Sequence, residues 1–291
     1  MTKEKITGII WQFVAYTFAL TIAIRAYGHF ELTEILRLLL VNVVATSVVF
    51  FFSYAFENAS FYIPYWSLQP VIIGTYFISQ EQADINTIRQ SVVFLIILIW
   101  SIRLMFNFFR RWNNLEDEDW RYTRVKEQSG QWFLLVSYFG IMMVPTFLVY
   151  AGCIPLFDIL KNSSIPFGIW DTIGTIIGIT GILVQWIADN QLFHFIKKRE
   201  NRSEILNTGL WKYSRHPNYF GEICIWTSIA IFSVGAVGDL EWYNVLGVIG
   251  MILFFNFISI PMQEKQLVLH KPNYINEQDI RSKIIPWKTK S

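Results

Sequence analysis

GLWKYSRHPNYFGE, residues 209–222, is the stretch on which the reading of this chain turns. It gathers Lys212, Tyr213, Arg215, His216, Asn218 and Glu222 around a single proline, Pro217, and the sequence on either side is oily. Such polar crowding between apolar runs marks the edge of a membrane and a candidate site. Proline fixes its own backbone angle and pushes the preceding residue out of helical geometry, so the chain bends at His216 and a helix begins near Asn218. Asn218 and Glu222, four residues apart, then share one face of its first turn, where unpaired N–H groups direct a positive field outward.

Outward from this stretch, runs of roughly 17 to 25 apolar residues recur, the length needed to cross a bilayer. They occupy 6–24, 35–56, 88–109, 132–150, 165–188, 220–237 and 242–260, and a shorter run at 65–79 is entered through Pro64. The short run reads either as an eighth helix or as a re-entrant segment. Hydrophobic residues make up 53% of the chain and charged residues 16%, where soluble domains carry roughly 25% charge. The expected fold is all-α: a polytopic integral membrane bundle of seven or eight transmembrane helices. It is read as one domain over 1–291, with N-terminal helices to residue 60 and the site-bearing region over 61–291.

Charge distribution orients the bundle. With eight spans and the N-terminus inside, one face receives Lys3, Lys5, the cluster from Arg110 to Lys126, Lys197, Lys198, Arg199, Arg202, Lys212, Arg215 and the basic tail 265–290. The other keeps Arg25, Arg37, Arg89 and Lys161, an asymmetry that follows the positive-inside rule. The polar stretches 110–126 and 189–222 and the tail therefore emerge together on the cytoplasmic side. A formal net charge of +2 gives no reason to expect nucleic acid as a partner. Cys153 and Cys224 lie in apolar runs without metal-ligand spacing and read as small hydrophobes, so no metal is expected. The first apolar run continues past Ala23 without a cleavage pattern and reads as a retained helix.

Several residues carry chemistry. Arg103 falls inside an apolar run, where an arginine costs roughly 2.5 to 3.5 kcal/mol unless it pairs, snorkels or faces a watery cavity. Asn107, Asp189 and Glu222 are its candidate partners, and snorkelling to the interface is an equal alternative. Lys197, Arg202, Lys212, Arg215 and His216 form a cationic set suited to phosphates, although lipid headgroups attract the same set. Rossmann, P-loop, zincin and nucleophile-elbow motifs do not occur in the chain.

At these residues a resemblance emerges. Ala188-Asp189-Asn190-Gln191, Gly209-Leu210-Trp211, Ser214 to Glu222 and Glu264-Lys265 resemble the C-terminal half of the steroid 5-alpha-reductase family. The likeness is closest to its bacterial and eukaryotic branch long labelled a domain of unknown function. Pro64-Tyr65-Trp66-Ser67, Arg103-Leu104 and Glu118 to Tyr122 look like the same branch. The resemblance implies a helical membrane reductase, an oxidoreductase acting on CH–CH groups, that binds NADPH from the cytoplasmic side. It would deliver hydride to a carbon–carbon double bond conjugated to a carbonyl in a lipophilic substrate. It would sit in the endoplasmic reticulum of a eukaryote or the inner membrane of a bacterium.

The cofactor-binding set so implied is Arg103, Asn107, Gln185, Asp189, Lys197, Arg202, Lys212, Tyr213, Arg215, His216, Asn218, Glu222 and Glu264. Gln185 stands where steroid-reducing relatives carry asparagine. At the substrate end, Glu57 aligns with the family's glutamate, but Trp100 replaces its tyrosine, and indole is no general acid. Tyr62 and Tyr65 are the substitutes, and Glu57, Tyr62 and Tyr65 are the catalytic candidates. The Arg-His-Pro-x-Tyr element is also similar to isoprenylcysteine and phospholipid methyltransferases. That likeness gives S-adenosylmethionine as the alternative cofactor, and a non-enzymatic lipid-binding protein is the third reading.

Overall fold

The computed structural model describes residues 2–80, 86–161, 165–271 and 273–289, so Lys290 of the basic tail lies outside the described residues. Seven helices are long and apolar enough to cross a membrane. They are α1 (Lys3–Tyr27), α2 (Glu34–Ala55), α4 (Thr87–Arg111), α5 (Trp120–Lys161), α6 (Ile169–Lys198), α7 (Pro217–Val237) and α8 (Trp242–His270). Each contains one of the seven long apolar runs or nearly all of it. The short run belongs to a further helix, α3 (Tyr62–Ser79). At 18 residues α3 is about 27 Å long, just under the roughly 30 Å hydrocarbon thickness. A last helix, α9 (Tyr274–Ile280), follows α8. Among the described residues the only strand-like pairing is one parallel bridge, Ser214 to Ser282. The protein is a multi-pass helical membrane protein.

Two wide turns interrupt these helices, and proline explains both. Residues Val136–Met143 of α5 and Phe255–Ser259 of α8 are π-helical. Pro145 and Pro261 stand two residues beyond their ends. A proline ring collides with the carbonyl four residues before it and offers no N–H, so widening the preceding turn relieves the collision.

The chain packs as two compact units, 1–81 with 100–156, and 82–99 with 157–291. In the first, Ala15, Ala19 and Ala23 make a buried small-residue stripe on α1, the kind of surface that lets membrane helices approach closely. Its interior also carries hydroxyl bonds between helices: Thr46 to Thr146 at 3.0 Å, Tyr62 to Thr146 at 2.7 Å, and Tyr16 Oη donating to the Phe61 carbonyl at 2.7 Å.

The second unit is built on α6 and α7. Gly174, Gly178 and Gly181 on α6 face Phe232, Ser228 and Gly221 on α7. Ser228 Oγ donates to the Gly174 carbonyl at 2.6 Å. A methyl group on Gly181 would come within 2.8 Å of the Gly221 carbonyl, and one on Gly221 within 2.7 Å of the Gly181 carbonyl. The glycine series thus forms a close helix contact.

Near the other end of this pair, Arg89 of α4 is fully buried. It grips Asp171 of α6 with two bonds of 2.6 and 2.8 Å. It also donates to the carbonyls of Ile165, Pro166 and Gly235. Arg89 is therefore an internal clasp rather than a surface charge. An arginine buried this deeply is tolerated because its charge is matched and its donors are engaged.

Two outcomes follow for thermal unfolding in detergent. Asp171→Ala, which strands the Arg89 charge, should cost about 3–5 kcal/mol, and the paired replacement Arg89→Met with Asp171→Leu should recover much of that loss. Gly221→Ala should cost about 1–3 kcal/mol, because its new methyl meets backbone.

Candidate functional site

The polar block 209–222 lies in the second unit. The bend occurs where Pro217 requires it. His216 has non-helical angles (φ −139°, ψ 61°) and α7 starts at Pro217. Gly209 adopts φ +59° and sits against Gln191, whose Oε1 accepts the Leu210 N–H at 3.0 Å. Trp211 Nε1 donates to the Ala188 carbonyl at 3.0 Å, so the loop is stitched back onto α6.

Two groups of expected site residues come together here. In the first, Gln185 Nε2 donates to Glu222 Oε2, while Trp226 Nε1 donates to Glu222 Oε1 at 3.1 Å. Asn218 and Glu222 share a face of α7, as their spacing requires, and Gln185 Nε2 also reaches the Asn218 carbonyl at 3.4 Å. Among the described residues, two buried acceptors of this group have no hydrogen-bond partner, Gln185 Oε1 and Asn218 Oδ1. Asp189 is buried one turn beyond Gln185 on α6.

The second group centres on Glu264 of α8. Arg215 Nη1 lies 2.9 Å from Glu264 Oε1, an ion-pair contact not aligned as a hydrogen bond. His216 Nε2 donates to the same oxygen at 3.0 Å, and Gln278 Nε2 of α9 donates to Oε2 at 3.0 Å. The His216 ring stacks on Tyr219 and Tyr219 on Phe255, with centroids 5.4 and 4.3 Å apart. The tail closes over this group: Arg215 N donates to the Ser282 carbonyl, Ser214 Oγ to that of Ile284, and Trp287 N to that of Tyr213. Burial lowers the His216 pKa, and Glu264 offsets this only in part. Burial thus disfavours the imidazolium, and Nε2, facing a carboxylate oxygen, is the donor.

Lys197, Arg202, Lys212 and Tyr213 are exposed. Lys197 Nζ lies over the Phe193 ring and Lys212 Nζ over that of Tyr213. The buried Arg281 went unsingled in the sequence. It donates to the carbonyls of Leu206 and Trp211 and pairs with Glu277 at 2.7 Å. Its signal was the Glu277–Arg281 spacing of four on one helical face.

The remaining candidates belong to the first unit. Arg103 is buried within α4. Asn107 Oδ1 accepts from Arg110 at 3.0 Å and Arg111 at 3.1 Å. Tyr62 and Tyr65 are buried on one face of α3, and Trp100 packs edge-on against Trp66. Glu57 is exposed and adopts φ +49°. Glu57 N bonds the Tyr54 carbonyl and Asn58 N that of Ser53, the pattern in which a left-handed residue, usually glycine, ends a helix.

The next turn is held by a stretch that the resemblance also marked. Asn58 Nδ2 donates to the Leu115 carbonyl at 2.7 Å, Ala59 N to Glu118 Oε1 at 2.8 Å, and Asp119 N to Ser60 Oγ at 2.8 Å. Burial pushes the Asp119 carboxyl up, but the Arg121 guanidinium outweighs it and holds the pKa below the usual range.

Two measurements probe these placements. Glu57→Gly should stabilise the fold by about 1 kcal/mol by removing left-handed strain, read as a raised melting temperature. Because His216 in the folded protein has a pKa below 6.5, the unfolded chain takes up this proton first. Its contribution to stability is therefore present above about pH 6.5 and lost as pH falls toward the folded pKa. His216→Gln should flatten that limb of a melting-temperature profile.

Among known proteins, an uncharacterized protein of Schizosaccharomyces pombe, C594.04c, is 24% identical over 270 residues, covering 85% of this chain and 78% of its own length. No solved structure matches. Residues 49–279 match the family described as "Protein of unknown function (DUF1295)", and the chain belongs to that family.

Proposed function

We propose that the protein is a membrane reductase that uses NADPH to reduce the conjugated carbon–carbon double bond of a lipophilic carbonyl compound. The observation that carries this reading is the presence of two unpartnered buried acceptors, Gln185 Oε1 on α6 and Asn218 Oδ1 at the start of α7. A carboxamide NH2, such as that of nicotinamide, is a double donor that satisfies such a pair, so the residues present fit the group. An orphaned buried acceptor costs about 1–3 kcal/mol, which a bound donor recovers.

In this reading Gln185 and Asn218 bind the carboxamide. Glu222, engaged on both oxygens by Gln185 and Trp226, fixes the Gln185 amide in its donor–acceptor sense. The exposed Lys197, Arg202 and Lys212 are the cations for phosphate, since Arg215 already faces Glu264. NADPH, when bound, supplies a hydride equivalent to the β carbon of the substrate. The chain contributes orientation and exclusion of water around the buried amides.

The test is cofactor binding to the full-length protein in detergent, by calorimetry or fluorescence. NADPH should bind, and Asn218→Ala and Gln185→Leu should each weaken it about tenfold, the worth of one hydrogen bond. A folded protein that binds S-adenosylmethionine and not NADPH would establish the methyltransferase reading instead.

A further inference from the structure

A groove of about 540 Å³ lies beside the Glu264 group, between the C-terminal end of α8, α9 and the tail. Ile260, Val268, Leu269 and Ile275 give it an apolar floor, and Lys265 and Lys283 line it as well. The one carboxylate in its wall, Glu264, is already matched by Arg215, His216 and Gln278. Among the described residues, neither lysine has a carboxylate within ion-pair distance. The groove therefore presents positive charge over an oily surface.

Lys283 is held in place by the wide turn of α8. The carbonyl of Asn256 would meet residue 261 in an i→i+5 bond, but Pro261 has no N–H, and Lys283 Nζ donates to that carbonyl at 3.1 Å. An ammonium has three donors, so anchorage leaves capacity for an anion. The surroundings belong to a membrane surface: Leu269 is exposed in the last turn of a membrane-spanning helix, and Ile275, Ile285 and Trp287 are exposed just beyond it. A tryptophan there suits the headgroup level.

We infer that this groove is a binding site for one anionic phospholipid of the surrounding leaflet, with its phosphate at Lys265 and Lys283 and acyl chain on the apolar floor. Glu264 stands in the groove wall, where Gln278 bonds it, and itself holds Arg215 and His216. Lipid occupancy therefore braces the loop 209–217 from behind. The inference is independent of the reductase reading, because it needs no nucleotide.

Native mass spectrometry of the full-length protein, equilibrated with equimolar dioleoylphosphatidylglycerol and dioleoylphosphatidylcholine, tests it. The wild type should retain phosphatidylglycerol in preference. Lys265→Gln and Lys283→Gln should each lower that preference about fivefold, the worth of one lysine near a charged membrane surface. Lys288→Gln, in the same tail but outside the groove, should leave it unchanged. Lys265 is exposed, so its single variant remains informative if Lys283→Gln impairs folding. Equal retention of the two lipids, an effect of Lys288→Gln as large as that of Lys265→Gln, or displacement of phosphatidylglycerol by added NADPH would each overturn the inference.

Discussion

The close approach of α6 and α7 at Gly181 and Gly221 is the constraint on which the second unit depends. Each glycine faces the other's carbonyl, so neither position has room for a side chain. In a membrane, where helices gain little from hiding apolar surface, such backbone proximity and the hydrogen bonds it permits supply the association. The same approach lets Gln185 reach Glu222 across the helix pair. Packing and site are one structure here: moving the helices apart would break the amide–carboxylate contact before it disturbed the apolar surface.

Much of this was legible in the sequence, because the physics that produced it is local. The spans follow from the length of apolar runs, the bend at His216 from Pro217, and the shared face of Asn218 and Glu222 from helical period. Glycines at 174, 178 and 181 give α6 a small-residue face of the kind that packs closely. Contacts distant in sequence were not legible. Glu264 meets Arg215 and His216 across some fifty residues, and no local pattern announces it. Arg89 read as a surface charge because it stands at the very start of the run 88–109, yet it closes on Asp171 and three carbonyls.

The candidate residues consequently differ in kind. Among the described residues, Gln185 and Asn218 retain unmet acceptors, whereas His216 and Glu264 bond each other and Arg215 is ion-paired with Glu264, its buried Nε still without a hydrogen-bond partner. Polar residues near a membrane edge look alike in sequence, and only their partners separate a ligand's contacts from a brace. Glu57 illustrates the same point in the first unit, since its backbone angle suits the end of α2. An alignment of carboxylates by position says nothing of such a role.

The wide turns before Pro145 and Pro261 reset the phase of their helices. A π turn takes up about one residue more than an α turn, which rotates the helix beyond it by roughly 100°. The stripe of α8 that carries Glu264 is therefore not the continuation of the stripe that begins at Trp242, although both belong to one apolar helix. A single wheel drawn through 242–270 would misplace the carboxylate by that angle. Proline at 261 thus acts as a register device: it lets a span obey the bilayer along its first half and aim polar side chains independently along its second.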